Sequence, residues 1–521
     1  MRAMSSLIPW SRWVPVSLLC IGGCAQVGPD FQTQHESWSE NWQDPVVEQV
    51  VEQRPQPDMR QWWQVFSDAT LERLIAEADA QDAGVKIAGL RVMEARAQLG
   101  IAQAGRYPQS QVASADALYV HSKKSNDSLS TTSRVWQLSA GVDVGWELDF
   151  WGRFSRAIES ADAAYFAARA NHEAALVLLH AQLAESYFAL RTAEARLRVA
   201  RENARLQKRS YEITERLFKS GESDELDLQQ ARTQYLGTLS SIPELESQIM
   251  RTHNALAILI GRPPGPFPEG LDLTEKEGVI PQIQRAVLQD VPANLLLRRP
   301  DIRAAESQVA AQSALIGVAK ADLYPSLTLL GSIGWSATSL PGSLNGLVLL
   351  GGPSVRWNVF DYGRIKNNVR VQDARLQQLI VAYQDSVRQA AREADDAASA
   401  LVKALEREEI LRAASEAANR SLTLANALFR EGYSDFQRVL DAQRALFAQQ
   451  DAYLVNRGNA VSDLIALYKA LGGGWYSDQP VVDAASREQM RQRTDWGKLL
   501  DEPVRPAAGT SLPAQRATPD E

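Results

Sequence analysis

Two stretches of this chain carry the same landmark residues in the same order, and each landmark of the second stretch lies 211 positions after its counterpart. Each stretch begins with alternating apolar and polar residues, runs for 69 residues in a helix-like pattern to a glycine, and reaches another glycine 40 residues later. The matching pairs are Trp146 and Trp357, Gly152 and Gly363, Arg153 and Arg364, Leu217 and Leu428, Phe218 and Phe429, Gly221 and Gly432, and Gly261 and Gly472. The sequence therefore predicts two copies of one unit, each with strands followed by a helical hairpin.

The lengths of these runs predict an elongated helical shaft. At about 1.5 Å per residue, the longer run makes a helix of about 100 Å and its return one of about 60 Å. Another helical segment precedes each copy, at about 83–106 and 301–323, and would extend the shorter arm by roughly 35 to 45 Å. Apolar residues recur every seven positions along the first long run, which predicts coiled-coil packing. They are Leu176, Leu183, Leu190, Leu197, Ala204, Tyr211 and Phe218.

The segment before each long run is typical of a β-strand with one apolar face. From Trp136 to Phe150 every even position is apolar and every odd position is polar or glycine. Such period-two alternation predicts a strand. Similar patterns cover 327–335 and 347–359, and a weaker one covers 110–120. The chain is thus expected to supply two hairpins, or four strands.

Strands of this length with an apolar face are typical of membrane β-barrels, although a soluble sandwich with its polar face in water would show the same pattern. A closed barrel needs about eight or more strands, and an open edge in lipid is prohibitive. The four strands are therefore expected to be completed by other copies of the chain, and a working pore favours three or more copies over two.

The amino terminus indicates export and lipidation. Arg2 and Arg12 precede the short apolar stretch 13–21, which is too short for a spanning helix and is typical of a signal peptide. Small residues follow before Cys24, as in a bacterial lipobox whose cysteine is acylated and becomes the first mature residue. The only other cysteine is Cys20, within the signal. We therefore expect a covalent lipid on Cys24 and no other cofactor.

These patterns divide the chain into six predicted segments. They are a signal peptide (1–23), a lipidated extended leader (24–67), repeat 1 (68–261), a linker rich in proline and glycine (262–291), repeat 2 (292–475) and a polar, largely disordered tail (476–521). The net charge of −8 argues against a nucleic-acid partner. Five scattered histidines, without a phosphate-binding loop, a nucleophile motif or a metal cluster, favour a protein that is not an enzyme.

Three stretches, 294–306, 317–326 and 466–475, resemble hallmark motifs of the outer membrane factors, the exit ducts of tripartite efflux pumps. The segment 24–31 is similar to the mature start of the OprM/NodT lipoprotein subgroup of this TolC-like family. The resemblance covers about 24–475. It implies a mixed α and β membrane protein, in which a homotrimer forms a 12-stranded outer membrane barrel and a periplasmic helical tunnel. It also implies a periplasmic adaptor, an inner membrane transporter of the RND type and outer membrane lipids as partners.

The resemblance also assigns roles to two places. It implies that the turns at Gly221 and Ser223 and at Gly432 and Ser434 form the periplasmic tips, beside which adaptor hairpins dock. The segment 439–444 resembles the part that narrows the tunnel, so that Asp441 from three chains would form an acidic ring.

The sequence departs from the family pattern around that constriction. Arg438 stands where TolC has an aspartate, Gln437 where OprM has a leucine, and Phe429 where a tyrosine hydroxyl helps to hold the closed state. Arg438 and Arg444 lie three residues to either side of Asp441, so they could instead pair with it and hold neighbouring helices closed.

The favoured function is a passive duct for small-molecule efflux. The alternatives are a duct for type I protein secretion and a non-conducting structural lipoprotein.

Overall fold

A computed structural model describes residues 26–32, 59–126, 129–267, 271, 273–274, 276–283, 298–337, 346–475 and 480–500, with the side chains of 122–133 excepted. Cys24 and the signal peptide lie outside the described residues. The regular elements, in chain order, are a 3-10 helix (Met59–Phe66), α1 (Ala69–Gln81), α2 (Ala83–Ala104), β1 (Ser110–Asn126), β2 (Leu129–Leu148), α3 (Arg153–Ser220), α4 (Glu225–Leu259), α5 (Pro300–Ala321), β3 (Ser326–Ala337), β4 (Gly346–Arg356), α6 (Arg364–Arg430), α7 (Phe436–Ala470), α8 (Ala484–Arg493) and a 3-10 turn (Gly497–Leu500).

The order of elements from α2 to α4 recurs from α5 to α7: a helix, two strands, a long helix and a shorter helix. The long helices α3 and α6 contain 68 and 67 residues, and α4 and α7 contain 35 each. Four glycines of the sequence pattern follow these helices and have positive φ angles of 71° to 79°. They are Gly221, Gly261, Gly432 and Gly472. These positions favour glycine because a residue with a Cβ atom is disfavoured in the left-handed region of backbone conformation.

The four strands lie in one compact unit of the chain, which comprises Met1–His35, Met93–Ala168 and Ala304–Tyr383. They form one antiparallel sheet in the order β1-β2-β3-β4. The register places the apolar positions of neighbouring strands opposite one another: Val142 pairs with Ile333, and Ile333 with Leu349. The alternation predicted from the sequence therefore produces one continuous apolar face across the sheet.

The second unit comprises Glu36–Val92, Arg169–Arg303 and Gln384–Glu521, and it contains the main hydrophobic core of the described residues. The seven-residue repeat of α3 lies in this core as predicted: Leu176, Leu183 and Leu190 are each at most 1% exposed. Burial decreases towards the end of the helix, where Phe218 is 39% exposed. The seam therefore packs most tightly away from the α3–α4 turn.

The tail differs from the sequence prediction in the residues that the structure describes. The prediction of a largely disordered tail is wrong for 484–493, which form α8. Asp483 caps this helix by accepting a hydrogen bond from the Ser486 N–H (2.9 Å), and Met490 and Leu500 are buried. The proline-rich composition that suggested disorder comes mainly from residues after 500, which lie outside the described part of the chain.

Within the described ranges, no helix is both long enough and apolar enough to cross a membrane.

Candidate functional site

The turn between α3 and α4 is fixed by backbone hydrogen bonds around Gly221. The Gly221 N–H donates to the Phe218 carbonyl (3.0 Å), and the Glu222 N–H donates to the Leu217 carbonyl (2.8 Å). This pair of bonds is the Schellman motif, which requires a residue with positive φ at the glycine position. A Cβ at Gly221 would meet no atom within 4 Å, so backbone conformation rather than space requires glycine here.

The turn between α6 and α7 repeats this arrangement around Gly432. The Gly432 N–H donates to the Phe429 carbonyl (3.1 Å), and the Tyr433 N–H donates to the Leu428 carbonyl (2.9 Å). The space around Gly432 is also open, and Tyr433 is exposed. The two turns therefore share one geometry and present accessible surfaces.

An aspartate begins the returning helix after each turn. Asp224 accepts a hydrogen bond from the Asp227 N–H (2.9 Å), and Asp435 accepts one from the Arg438 N–H (3.4 Å). The serines predicted to belong to the tips make local contacts. Ser223 Oγ donates to Asp227 Oδ2 (3.1 Å), and Ser434 Oγ donates to the Asp435 carbonyl (3.3 Å). Both serines therefore bond to acidic residues at the start of the helix that follows their own turn.

The candidate constriction residue Asp441 lies near the start of α7 and is contacted on both sides along the helix. Gln437 Nε2 donates to its two carboxylate oxygens at 3.2 and 3.3 Å. Arg444 Nη1 forms an ion pair with Asp441 Oδ1 at 3.1 Å. The side chains of Asp441 and Arg444 are 54% and 65% exposed, so this pair is a solvated surface pair.

Arg438 does not share this arrangement. Its guanidinium lies 3.9 Å from the carboxylate of Asp435, the residue that caps α7. The sequence alone also allows an ion pair between Arg438 and Asp441. Gln437 Oε1 is buried and has no hydrogen-bond partner among the described residues. The structure thus groups Gln437, Asp441 and Arg444 on one part of α7 and directs Arg438 towards the turn.

The candidate constriction segment, 439–444, packs against a hydrophobic cluster. Val439 and Leu440 are each 1% exposed and pack with Ala231 of α4 and Leu422 of α6. Phe429 lies against Phe436, with their ring centroids 5.1 Å apart. A phenylalanine at position 429 therefore contributes an aromatic contact where a tyrosine hydroxyl was expected from the family pattern.

A second arrangement, which sequence reasoning missed, holds the segment that follows Cys24. The Val27 N–H donates to the Trp151 carbonyl (3.1 Å). The buried Arg156 guanidinium donates to the carbonyl of Val27 (3.3 Å) and pairs with Asp30 (2.6 Å). A Cβ on Gly28 would lie 2.5 Å from the Gly317 Cα, so the leader sits directly on α5. No local pattern reveals this contact, since its partners lie more than 120 residues apart.

The hallmark stretch around 299–301 is also explained by its contacts. Arg299 Nη1 donates to the carbonyl of Ala470 (2.9 Å), and Nη2 pairs with Asp301 (2.9 Å) and Glu393 (3.0 Å). This guanidinium thus connects the start of α5 to the end of α7 and to α6.

The comparison with protein families decides the identity of the chain. The family described as outer membrane efflux protein matches residues 74–262 and 291–473. The chain belongs to the outer membrane efflux protein family. The probable outer membrane lipoprotein SilC of Salmonella typhimurium is 30% identical over 474 residues, which span 88% of this chain and 97% of SilC. The cation efflux system protein CusC of Escherichia coli K12 is 32% identical over 427 residues, which span 79% of this chain and 88% of CusC.

Solved structures agree with this assignment. The outer-membrane channel OprN superposes with a TM-score of 0.79 at 31% identity, and the match covers 86% of this chain and 99% of the OprN chain. A structure of CusC superposes with a TM-score of 0.75 at 28% identity, and the match covers 86% of this chain and 100% of the CusC chain. The chain is thus an outer membrane channel of the efflux type, as the motifs predicted. The relatives do not favour the alternative of type I protein secretion.

Proposed function

We propose that three copies of this efflux channel close a 12-stranded outer membrane β-barrel, which continues as a helical tunnel in the periplasm. In this proposal the duct passively conducts small molecules, such as drugs and toxic compounds, that a periplasmic adaptor and an inner membrane transporter of the RND type deliver. The observation that carries the proposal is the register of the sheet, which aligns one apolar face across four strands.

The edges of that sheet support assembly with other copies. In the strand order β1-β2-β3-β4, the outer strands β1 and β4 each have one strand neighbour within the described sheet. Four strands are too few to close a barrel, and unpaired backbone groups are prohibitive in lipid. Three copies supply twelve strands, which leave a lumen, whereas eight strands fill their interior with side chains.

A tandem duplication accounts for the architecture. The two proposed units, 68–261 and 292–475, each supply a helix, a hairpin and a helical hairpin, joined by the linker 262–291. The two family matches fall on nearly the same ranges. Three chains would therefore place six similar units around the channel.

The two turns are proposed as the periplasmic tips to which the adaptor docks. Their accessible surfaces and shared geometry at Gly221 and Gly432 suit repeated contacts with helical hairpins of a partner. We further propose that Asp441 from each chain lies at the constriction and forms an acidic ring, with Gln437 and Arg444 in contact with it and Arg438 nearby, beside Asp435. A ring of carboxylates favours cations in the pore.

The lipid on Cys24 is proposed as an additional membrane anchor. Gln26, two residues along the chain, is held against Gly152, so the Cα atom from which the lipid is attached would lie within about 7 Å of the Gln26 Cα. SilC is named a probable lipoprotein, which agrees with this assignment.

The function can be tested by purifying the mature lipoprotein in detergent and measuring both its mass and its conductance in planar bilayers. The proposal predicts the mass of three chains and a stable channel conductance. A monodisperse folded monomer would contradict the trimer, and a trimer without conductance would favour a purely structural role. Crosslinking in cells should capture a periplasmic adaptor at the tips, and capture of a type I secretion apparatus would instead support the alternative function.

A further inference from the structure

The corners between helix and strand have equivalent geometry in the two halves of the chain. Trp146 Nε1 donates to the Arg106 carbonyl (3.2 Å), and Trp357 Nε1 donates to the Leu323 carbonyl (3.0 Å). The residue after each acceptor is a tyrosine, Tyr107 in the first half and Tyr324 in the second, and a proline follows each. Tyr107 and Tyr324 are therefore equivalent positions.

Strand register shows the same equivalence. β2 maps onto β4 by a shift of 211 positions, and β1 maps onto β3 by a shift of 216, from Ser110 to Ser326. With these shifts, the observed pair Ala115 and Ala140 corresponds to Gly331 and Gly351, which are indeed paired. The two hairpins thus have the same internal register.

One aromatic contact joins the two halves of the chain. The equivalent pair of residues does not form this contact within the same chain. Trp151 stacks on Tyr324 with their ring centroids 4.5 Å apart and an interplanar angle of 21°. The residue equivalent to Trp151 is Tyr362, 211 positions later. Tyr362 has 104% relative exposure, and Tyr107 is 68% exposed. Tyr362 also has a φ of +53°, which is unfavourable for a residue other than glycine.

We propose that Tyr362 of one copy stacks on Tyr107 of the next copy and repeats the Trp151–Tyr324 contact between chains. The inference rests on the proposed trimer, and it specifies how the copies meet. The same shifts applied to the observed pair Val144 and Gly331 place Val355 of one copy opposite Ala115 of the next. In that register the apolar face of β4 continues into the face of β1 that carries Ala115.

The aromatic contact can be tested by measuring the monomer–trimer equilibrium in detergent through a urea series. Tyr362→Ala and Tyr107→Ala should each weaken the trimer roughly tenfold or more, since three aromatic contacts are lost, and the double variant should be little worse than either single variant. Tyr362→Trp restores the residue found at Trp151 and should keep the trimer. Phe360→Ala removes a neighbouring exposed aromatic side chain and serves as the control.

The register can be tested by disulfide formation. Val355→Cys with Ala115→Cys should give crosslinked oligomers on a non-reducing gel, whereas Val355→Cys with Tyr119→Cys, four residues out of register, should not. A trimer that is insensitive to both tyrosine substitutions and does not crosslink would overturn the inference while leaving the proposed function intact, and would indicate that these rings face lipid. A wild-type monomer would contradict the proposed function itself.

Discussion

Tyr187 Oη donates a 2.9 Å hydrogen bond to Asp68 Oδ2, and these two residues lie 119 positions apart. The other oxygen of Asp68 caps α1 by accepting hydrogen bonds from the N–H groups of Thr70 (3.0 Å) and Leu71 (3.2 Å). Arg191 donates to the Tyr187 hydroxyl (3.2 Å). Burial raises the pKa of Tyr187 to about 12, so the hydroxyl remains a donor throughout the physiological range.

The first prediction concerns this contact. Tyr187→Phe keeps the ring and removes the donor, which leaves one oxygen of the buried Asp68 and one N–H of Arg191 without this partner. We expect the free energy of unfolding to fall by about 1 to 3 kcal/mol. Urea unfolding followed by tryptophan fluorescence measures the change. Tyr433→Phe, at an exposed turn, is the control, and equal stability of the two variants would show that the bond contributes nothing.

The second prediction tests whether Gly221 is required for its backbone conformation rather than for lack of room for a side chain. Gly221→Ala should destabilise the protein by about 1 kcal/mol, because alanine is unfavourable at a φ of +79°. Gly237→Ala is the matched control, since it is also open to solvent but lies within α4, and it should stabilise by about 0.5 to 1 kcal/mol. Thermal unfolding of both variants gives the comparison. Changes of the same sign would contradict the assigned role of the turn.

The third prediction tests the constriction. The contacts that Asp441 makes with Gln437 and Arg444 all lie within α7, so they hold no neighbouring helix. We therefore expect Asp441→Ala to weaken cation selectivity and block by multivalent cations, with little change in resting conductance. Planar-bilayer recordings provide the measurement, and Glu409→Ala, which breaks a similar arginine pair on α6, is the control.

A different result would support the lock between helices. In that case Asp441→Ala and Arg444→Ala would both raise the resting conductance. If neither variant changes conductance, selectivity or block, Asp441 is a surface residue and the constriction lies elsewhere.

The fourth prediction concerns the leader. Arg156→Met removes the hydrogen bond to the Val27 carbonyl and the ion pair with Asp30. We expect the opening free energy of residues 26–32 to fall by about 1 to 3 kcal/mol. Hydrogen exchange at the Val27 N–H, measured by mass spectrometry, reports this opening. Arg205→Met breaks an exposed pair with Glu202 and should leave that exchange unchanged, and unchanged exchange in Arg156→Met would show that the guanidinium does not hold the leader.

The fifth prediction concerns pH. Burial raises the pKa of Asp463 from 3.8 to about 6, so folding favours its protonated form. The stability associated with that form is complete below about pH 4 and is lost as the pH rises through about 6. Asp463→Asn should therefore stabilise the protein by about 1 to 3 kcal/mol at pH 8 and have little effect at pH 4.

The control for this test is Asp451→Asn, which removes a carboxylate that pairs with Arg196 at 2.7 Å and should destabilise at pH 8. Thermal unfolding at both pH values distinguishes the two. A pH-independent effect of Asp463→Asn would contradict titration of this carboxyl group.

Local patterns predicted much of the fold because they act through neighbouring residues. The spacing of Leu176, Leu183 and Leu190 predicted the buried seam, and Gly221 and Gly432 predicted the turns. Contacts between distant segments, such as Arg156 with Asp30, leave no periodic signal. The helix after Asp483 did have a local signal, an aspartate followed by Ala-Ala-Ser, but the prolines beyond residue 500 dominated the composition of the tail.

The outer strands of the sheet also have a consequence for biogenesis. If other copies complete the barrel as proposed, a newly exported chain has two unpaired strand edges until those copies bind, and its maturation then depends on the local concentration of newly made copies. A copy that is delayed in the periplasm is exposed to chaperones, to proteases and to pairing with unrelated β-strands. Cells that make too few or too many copies would therefore lose channels through proteolysis or aggregation, even though the sequence of every chain is unchanged.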